Sequence, residues 1–367
     1  MREEIAQYFS GIEDTRCQCD VKHPLVDVLI LVMCAVISGL DVPCKIVEYG
    51  LQKAEMLREQ FGVQKTPSES TLSRILSMVN GDVLSSAIIA WMRDKLGIKG
   101  DIIAVDGKTI CSTVVSSVCR KLHILTAMLT ANGVTLAQLA TDEKSNEIPK
   151  MRELLALIDI EGKIITSDAM GCQRETAKQI IEQKGDYCLG LKGNQQQLHD
   201  DVELYFETFQ NDPTLFDVAV TKEKSRDRFE IRRCYVFNDI SWLEGREKWE
   251  GLKTVLAIRR TVTKDGKKTT ETLFYISSLE AGAERFLQIV RDHWQIEAMH
   301  NILDVTFNED KCRVQNENAH KTLNAFRKLA IALHKGFKER ANHKKSLAKT
   351  MFSCLLNDDR LLEIVKL

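Results

Sequence analysis

The sequence has few prolines, no low-complexity tract and no long apolar run. Five prolines in 367 residues and the lack of biased tracts argue against long disordered segments. The longest unbroken apolar run, Val28–Ile37, has ten residues, so it is too short to cross a bilayer and is typical of a buried core helix. The N-terminal stretch MREEIAQYF is charged and lacks the apolar segment of a secretory signal. These absences disfavour membrane, exported and disordered classes of protein.

Cysteine, by contrast, is plentiful. Eleven cysteines in a chain with no export signal indicate free thiols in a reducing cytoplasm. Cys17 and Cys19 are too close for ordinary zinc spacing, and no second pair follows them, which disfavours a structural zinc site. We therefore expect a cytoplasmic protein with no membrane partner.

Charge is balanced overall but uneven along the chain. The net charge is −1, which by itself indicates no polyanionic partner. Between Lys311 and Lys349, however, eleven Lys and Arg residues stand against Glu317 and Glu339. This basic segment is either a solvated face or a surface that binds phosphates.

Residues 1–97 show helical patterns throughout. In TPSESTLSRILSMV, Thr66 is the predicted N-cap and Pro67 the first helical residue, and the apolar residues recur with helical spacing. Ser70, Ser73 and Arg74 occupy the opposite face. A short helix of this kind resembles the reading helix of a helix-turn-helix, although an ordinary surface helix has the same pattern.

From residue 98 the pattern becomes that of an α/β fold. The stretch DIIAVDGKTI predicts a strand that ends at Asp106, and GKIITSDAM predicts a second that ends at Asp168. A hairpin is predicted at Asn132-Gly133. Helices and strands alternate up to residue 215, which predicts a mixed sheet with helical crossovers.

Residues 216–280 predict four β segments, and residues 281–367 return to helices. The order of segments therefore predicts a β-rich insertion inside an α/β unit. The first helix after the insertion, GAERFLQIVRDHWQIEAMHNIL, carries Glu297.

Three carboxylates are candidates for chemistry. Asp106 and Asp168 at strand ends can hold metal ions if their strands are neighbours, or they can be ordinary solvated strand ends. Glu297 shares a polar stripe with His293 and His300. That stripe has three interpretations. It is an ordinary solvated helix face, or a zinc site, although its pattern H-x-x-x-E-x-x-H differs from the H-E-x-x-H of metalloproteases. In the third interpretation, Glu297 is the last ligand of a three-carboxylate metal site.

Several blocks carry a resemblance to a known family. They are PLVDVLILVMCAVISG, PSESTLSRIL, IAVDGKTI, KSNEIP, ITSDAMGCQ, DYCLGLKGNQQQL and HWQIEAMHNILDVTFNEDKCRV. In this order and spacing, the chain resembles, over nearly its whole length, the DDE transposases of insertion sequences that include the H-repeat-associated proteins.

The resemblance implies a ribonuclease H-like mixed sheet, interrupted by the β-rich insertion and preceded by an all-helical N-terminal domain. It carries the catalytic and metal-binding roles over to Asp106, Asp168 and Glu297. It also implies DNA cleavage and strand transfer with two Mg²⁺ ions, for which Mn²⁺ can substitute. The expected partner is double-stranded DNA, bound by a dimer at element ends and target in the nucleoid. We expect the three carboxyl groups within about 10 Å of each other.

Two other functions stay open at this level. One is a DNA-binding remnant of a mobile element that no longer cuts. The other is a ribonuclease H-like nuclease that cuts without strand transfer.

The chain also departs from the family pattern. Where relatives have His-Gly-Arg-x-Glu, this chain has Arg226 and Asp227 followed by the matching Arg228 and Glu230. Related groups place Tyr, Arg and Lys around the glutamate, and often a Trp soon after it. Here those four spacings hold other residues, which are Val290, His293, Asp304 and Asn301. None of these changes removes a predicted metal ligand.

The sequence suggests several DNA contacts. Lys108 follows Asp106 closely enough to contact a phosphate, or it is simply solvated. Lys328, Lys335 and Lys338 are expected to face outward from a helix that buries Leu323, Phe326, Leu329, Ala330 and Leu333. Arg327 and Arg340 are expected beside them. The other predicted DNA contacts are Arg74 and Arg228.

One aromatic residue near the glutamate has two interpretations. Trp294 lies three residues before Glu297 and could stack on a flipped base. A tryptophan on an amphipathic helix is more often part of the core, so packing is the expected role.

Overall fold

The computed structural model describes residues 2–17, 19, 21–115, 120–141, 147–225, 228–312, 314 and 316–367. Arg226, Asp227, Arg313 and the first residues of the KSNEIP block lie outside this range. The chain divides into two compact units. Unit 1 comprises Met1–Gly100, Gly107–Lys144 and Glu297–Leu367, and unit 2 comprises Asp101–Asp106 and Ser145–Ile296. The four-segment division made from the sequence stays a prediction.

The N-terminal part of unit 1 is helical, as predicted. Its helices are α1 (Arg2–Phe9), α2 (Leu25–Ile37), α3 (Pro43–Gln52), α4 (Ala54–Phe61), α5 (Glu69–Met78) and α6 (Gly81–Leu96). The apolar run in α2 is buried along its whole length, because α3 and other helices of unit 1 pack around it. Helices α3 and α4 meet at Lys53.

The start of α5 differs from the prediction. Its N-cap is Ser68, whose hydroxyl accepts the N–H of Thr71 at 3.4 Å, and Pro67 precedes the helix. A serine two residues after Thr66 offers the same cap chemistry, so the sequence rule alone could not choose between them.

The rest of unit 1 consists of a hairpin and the C-terminal helices. The hairpin strands are β2 (Arg120–Leu129) and β3 (Thr135–Thr141), joined through Gly133 at φ +74°, as predicted. The helices are α11 (Glu317–Arg340), α12 (Leu347–Leu356) and α13 (Asp358–Val365). Helix α11 packs on α2, α5 and α6.

Unit 2 is built on a mixed sheet. Its strands are β1 (Ile102–Val115, which continues into unit 1), β4 (Ile164–Ser167), β5 (Asp186–Leu191), β6 (Asp217–Ser225), β7 (Arg228–Phe237), β8 (Thr254–Lys264) and β9 (Lys267–Ser277). Their order is β1-β4-β5-β9-β8-β7-β6. The first three strands are parallel, and the four strands from the β-rich segment are antiparallel.

Helices cover both faces of this sheet. Its helices are α7 (Glu147–Ala156), α8 (Arg174–Glu182), α9 (Gln196–Phe209) and the long α10 (Ala283–Val305), whose last residues belong to unit 1. Phe286 and Leu287 of α10 pack in a core with Cys234 and Leu256. Phe206 of α9 packs on the opposite side of the sheet against the rings of residues 235 and 274. We call these sides the α10 face and the α9 face.

One strand is longer than predicted. Strand β1 runs through Asp106 to Val115, so the expectation that it ends at the aspartate is wrong. The residues after Gly107 are rich in Thr, Ile and Val, which favour extended backbone.

Among the described residues, no single helix could cross a bilayer; α5 and α6 reach the required length only together, across an 88° bend.

Candidate active site

Asp106 and Asp168 lie at the same level on neighbouring strands of unit 2. Val105 is paired with Ser167 in the parallel register of β1 and β4, and each aspartate is the next residue along its strand direction. Neighbouring strands lie about 4.8 Å apart. The structure therefore brings the first two predicted carboxylates together.

The backbone around Asp168 is held in a tight turn. Its Oδ1 accepts the N–H of Met170 at 3.0 Å, which starts a short 3₁₀ turn at Ala169–Gly171. Gly190 on β5 lies beside it, and a Cβ there would lie 3.3 Å from the nitrogen of Ala169. Sequence reasoning missed Gly190, because only the sheet order shows that β5 lies against this turn.

The electrostatics of Asp168 reflect its acidic neighbours. Partial burial and then the charge of Asp106 raise the pKa of Asp168 above its ordinary value, and Glu147 adds to this. The N–H of Met170 and the charge of Lys192 act in the opposite direction. The ionised carboxylate is thus less favourable here than in water, and a bound cation would relieve that cost.

Glu297 is exposed on α10, one helical turn beyond His293. His293 belongs to unit 2, where its Nδ1 and the hydroxyl of Thr166 on β4 are hydrogen-bonded at 2.9 Å. Thr166 stands two residues before Asp168. Glu297 itself falls in unit 1, and its convergence with the two aspartates stays a prediction.

Lys108 is buried among acidic side chains of unit 1. Its Nζ lies 2.7 Å from Asp304, 3.2 Å from Glu309 and 3.5 Å from Asp310. Burial would lower the pKa of Lys108, but these carboxylates outweigh it and raise the pKa. The expectation that Lys108 is free to contact a phosphate is wrong, because its charge is already matched inside the protein.

Helix α11 buries two of the cations that were expected to face outward. Arg327 is 1% exposed and donates to Asp41 at 2.8 Å and to Glu309 at 2.9 Å. Lys328 is 3% exposed and donates to Thr126 and Gln138, both at 2.8 Å. The outward placement of both residues is wrong, because α11 is surrounded by other parts of unit 1. The predicted apolar residues of α11 are buried.

The remaining predicted DNA contacts are more accessible. Arg74 is exposed on α5. Lys338 is half-buried near the end of α11, and Lys335 is half-buried and donates to the carbonyl of Thr130 at 3.0 Å. Arg340 is exposed and donates to the carbonyl of Leu367 at 2.9 Å.

Glu230 is the centre of an ion-pair cluster on the α10 face. It accepts hydrogen bonds from Arg228, at 2.9 Å to Nε, and from Arg260, at 2.7 Å, and it pairs with Arg232. Burial would raise the pKa of Glu230, but the bonds from Arg260 and Arg228 and the charge of Arg232 lower it to about 2. The sequence matched Arg228 and Glu230 to a family motif but did not indicate the two other arginines.

Trp294 of α10 borders the same cluster. The guanidinium groups of Arg260 and Arg232 lie 4.8 Å and 5.5 Å from the centre of its ring. These distances are typical of cation–π contacts. Trp294 is therefore engaged with the β-rich strands, as its expected packing role requires.

Comparison with known proteins identifies the family of this chain. The model of the transposase DDE domain matches residues 98–333, and that of a DDE-associated domain matches residues 6–92. The chain belongs to the DDE transposase family.

Relatives of this chain include two from Escherichia coli. The "H repeat-associated putative transposase YhhI" of strain K12 is 35% identical over 340 residues, which cover 90% of this chain and 89% of the relative. The "Putative transposase YncI" of O157:H7 is 35% identical over 345 residues, covering 92% and 88%. A piggyBac transposase in a synaptic complex with hairpin DNA aligns over 99% of this chain and 78% of its own, with TM-score 0.45 and 9% identity.

The chain also has a group of ligand-type side chains away from the aspartates. His199, Asp200 and Glu203 on α9 have candidate ligand atoms within 4.8 Å of one another. The two acids are exposed, and surface acids beside a histidine are common. We assign no metal to this group.

Proposed function

We propose that this chain is an insertion-sequence transposase that cuts DNA and transfers the cut strand with divalent metal ions held by Asp106, Asp168 and Glu297. The observation that carries the proposal is the placement of Asp106 and Asp168 at one level on adjacent parallel strands. Membership of the DDE transposase family and the names of the relatives support it.

The fold supports the ribonuclease H-like arrangement that the sequence resemblance implies. Two acidic residues lie on adjacent parallel strands, and four antiparallel strands separate them from the helix that carries Glu297. Each carboxylate is on a regular element or at its end, which suits a site that must hold its ligands rigidly.

The residues at the site fit a divalent metal. Asp106 and Asp168 supply carboxylate oxygens, the hard ligands that Mg²⁺ prefers, and the charge of Asp106 already disfavours ionised Asp168. We propose Asp106, Asp168 and Glu297 as the ligands of two Mg²⁺ ions, with Mn²⁺ as a substitute. Ions bound there would stabilise the attacking and leaving oxygens of an in-line displacement at phosphorus.

The protein's own groups keep these ligands in place. The N–H of Met170 fixes one oxygen of Asp168, and Asp106 is held within a long strand. The contact between His293 and Thr166 attaches α10 to β4. We propose that this contact orients the helix turn that presents Glu297.

DNA is the proposed substrate, at element ends and target, with a dimer holding two ends. Arg74 on the exposed face of α5 is a proposed contact at the element end, together with Ser70 and Ser73. Lys338 and Lys335 are proposed backbone contacts. Arg228 is a weaker candidate than the sequence indicated, because Glu230 matches its charge.

The test is an assay with labelled duplex ends, a target plasmid and Mg²⁺. Ends joined to the target support the transposase. Cleavage without joining would contradict it in favour of a nuclease, and a mobility shift without cleavage would contradict it in favour of a DNA-binding remnant.

A further inference from the structure

The α9 face of the β-rich sheet has an uncompensated positive charge. Residues that are paired side by side across β6, β7, β8 and β9 form rows perpendicular to the strands. The three rows farthest from β5 place five cations and no acid on this face. The cations are Lys222, Lys224, Arg233, Arg259 and Lys268. Within the described part of the chain, none of them forms an ion pair with a carboxylate.

The opposite face of the same rows is different. There Glu230 binds Arg228, Arg232 and Arg260, and the exposed Glu271 pairs with Arg260 at 2.8 Å. The two faces come from alternate residues of the same strands, so the contrast is a property of side-chain placement and not of overall composition.

The register places like charges directly opposite each other. Arg233 on β7 is paired with Arg259 on β8, an arrangement that destabilises a sheet unless something else compensates it. Arg259 lies over the ring of Phe206 at 5.0 Å, and its Nε donates to the hydroxyl of Thr272 at 3.4 Å. Neither contact neutralises the charge, so an anionic partner would stabilise this pair.

The face is also open. Helix α9 packs on the rows nearer β5 through Phe206, and the innermost of the three outer rows contacts the same ring through Arg259. Val220 and Phe229 in these rows are 45% and 39% exposed, and all three lysines are exposed. Threonines hold the other positions of these rows on β8 and β9 and add hydroxyl groups between the cations.

The dimensions suit an extended polyanion better than a small anion. Lys222 and Lys224 are two residues apart on one strand, so their Cα atoms are about 7 Å apart, and Lys224 and Lys268 share a row with three strand spacings, about 14 Å, between them. Cations spread over a flat face in this way cannot surround one phosphate, but they can each neutralise a different phosphate of a strand.

We propose that the outer rows of the α9 face bind the phosphate backbone of duplex DNA. The proposal rests on the transposase function and assigns part of its substrate contact to a surface. Phosphate contacts position a duplex and carry no sequence information, so this surface contributes affinity and register, while sequence preference comes from elsewhere.

The test is a titration of duplex binding at several salt concentrations. The variant replaces Lys222, Lys224 and Lys268 with Ala. The matched control replaces Lys150, Lys178 and Lys184 with Ala, which changes the net charge by the same amount. These three lysines lie in the same unit and already pair with Glu153, Glu182 and Glu161. A third variant changes Lys222, Lys224 and Lys268 to Arg.

We expect the Ala variant to flatten the plot of log affinity against log salt by about one to three units. The Ala variant should lose the same affinity for an element end as for a scrambled duplex. The control and Arg variants should keep the parental slope. An unchanged slope in the Ala variant, or an equal change in the control, would overturn the surface. The proposal would also be overturned if the Ala variant lost affinity for RNA or for phosphatidylserine vesicles while it kept its affinity for duplex DNA. A parental protein that binds no duplex at any salt would instead refute the transposase function.

Discussion

The imidazole Nδ1 of His293 and the hydroxyl of Thr166 are hydrogen-bonded at 2.9 Å, and this bond joins the long helix α10 to β4, the strand that ends just before Asp168. Thr166 precedes Asp168 by two residues, and His293 precedes Glu297 by one helical turn, about 6 Å along the axis. A single contact thus lies next to two of the three proposed ligands.

Metal binding should stabilise the protein through Asp168. Because the pKa of Asp168 is raised, its carboxylate lowers stability as the pH rises through the range above 3.8. A bound cation would offset this loss. At pH 7, Mg²⁺ at about ten times its Kd should add roughly 1.4 kcal/mol of stability by mass action, and EDTA should remove it. Differential scanning calorimetry with and without metal measures this shift.

The variant that tests this is Asp168→Asn. It should be more stable than the parent without metal and should gain nothing from Mg²⁺. Asp159→Asn is the control. Asp159 is exposed and accepts the N–H of Glu161 at 3.1 Å, as Asp168 accepts that of Met170. A metal-induced shift that survives in Asp168→Asn would rule out this ligand.

Replacing Glu297 with Gln should abolish cleavage and leave DNA affinity within about twofold, because affinity comes mainly from cations on phosphates. The control is Glu284→Gln, an exposed glutamate in the first turn of the same helix. Single-turnover cleavage and a binding titration measure the two properties. Parental cleavage by Glu297→Gln would remove this residue from the proposed site.

Glu230→Gln should destabilise the β-rich sheet by about 2–4 kcal/mol, because it removes a buried carboxylate and leaves the partly buried Arg232 and Arg260 without its charge. The exposed Glu271, which also pairs with Arg260, serves as control. Glu271→Gln should lower the free energy of unfolding by less than about 1 kcal/mol. Since the pKa of Glu230 is lowered to about 2, this stabilisation is complete above pH 4.5 and is lost as the pH falls from 4.5 towards 2. Urea unfolding at pH 7 and pH 3 checks both points; equal losses at the two pH values would contradict the ion-pair account.

Lys328 should make stability depend on pH in the same sense as Glu230, but in a higher pH range. Burial is the main cause that lowers the pKa of Lys328, to about 7, so between about pH 7 and 10.5 the unfolded chain binds a proton that the folded chain does not. Stability from this residue should rise with pH across that window, by at most about 1.4 kcal/mol per unit. Lys328→Met should remove this slope, whereas Met at the exposed Lys345 should keep it. Identical slopes in the parent and Lys328→Met, measured by urea unfolding, would exclude a buried neutral amine.

Local patterns predicted much of the fold. The Asn132-Gly133 pair predicts a hairpin because such pairs favour tight turns, and in the structure Gly133 has φ +74°, a conformation that few other residues tolerate. The helical N-terminal region, the four β segments and the helix of Glu297 were also found. These features depend on neighbours in the chain, which a single sequence shows directly.

The errors concern partners that are distant in the chain. Arg327 looked like a surface cation, yet its partner Asp41 lies 286 residues away. Lys108 and Lys328 were misjudged for the same reason. Periodicity shows which residues share a helix face, but it does not show that a second element covers the polar side. The adjacency of Asp106 and Asp168 was conditional on strand order, and only the structure supplied that order.

The central claim is that these carboxylates catalyse strand cleavage and transfer, and a strand-transfer assay with Asp168→Ala tests it most directly. Labelled duplex ends, a target plasmid and Mg²⁺ are incubated with the parent, Asp168→Ala and the control Asp159→Ala, with binding measured in parallel. The account predicts joined products from the parent and the control, and neither nicked nor joined DNA from Asp168→Ala at undiminished affinity. Joining by Asp168→Ala at the parental rate would contradict the account.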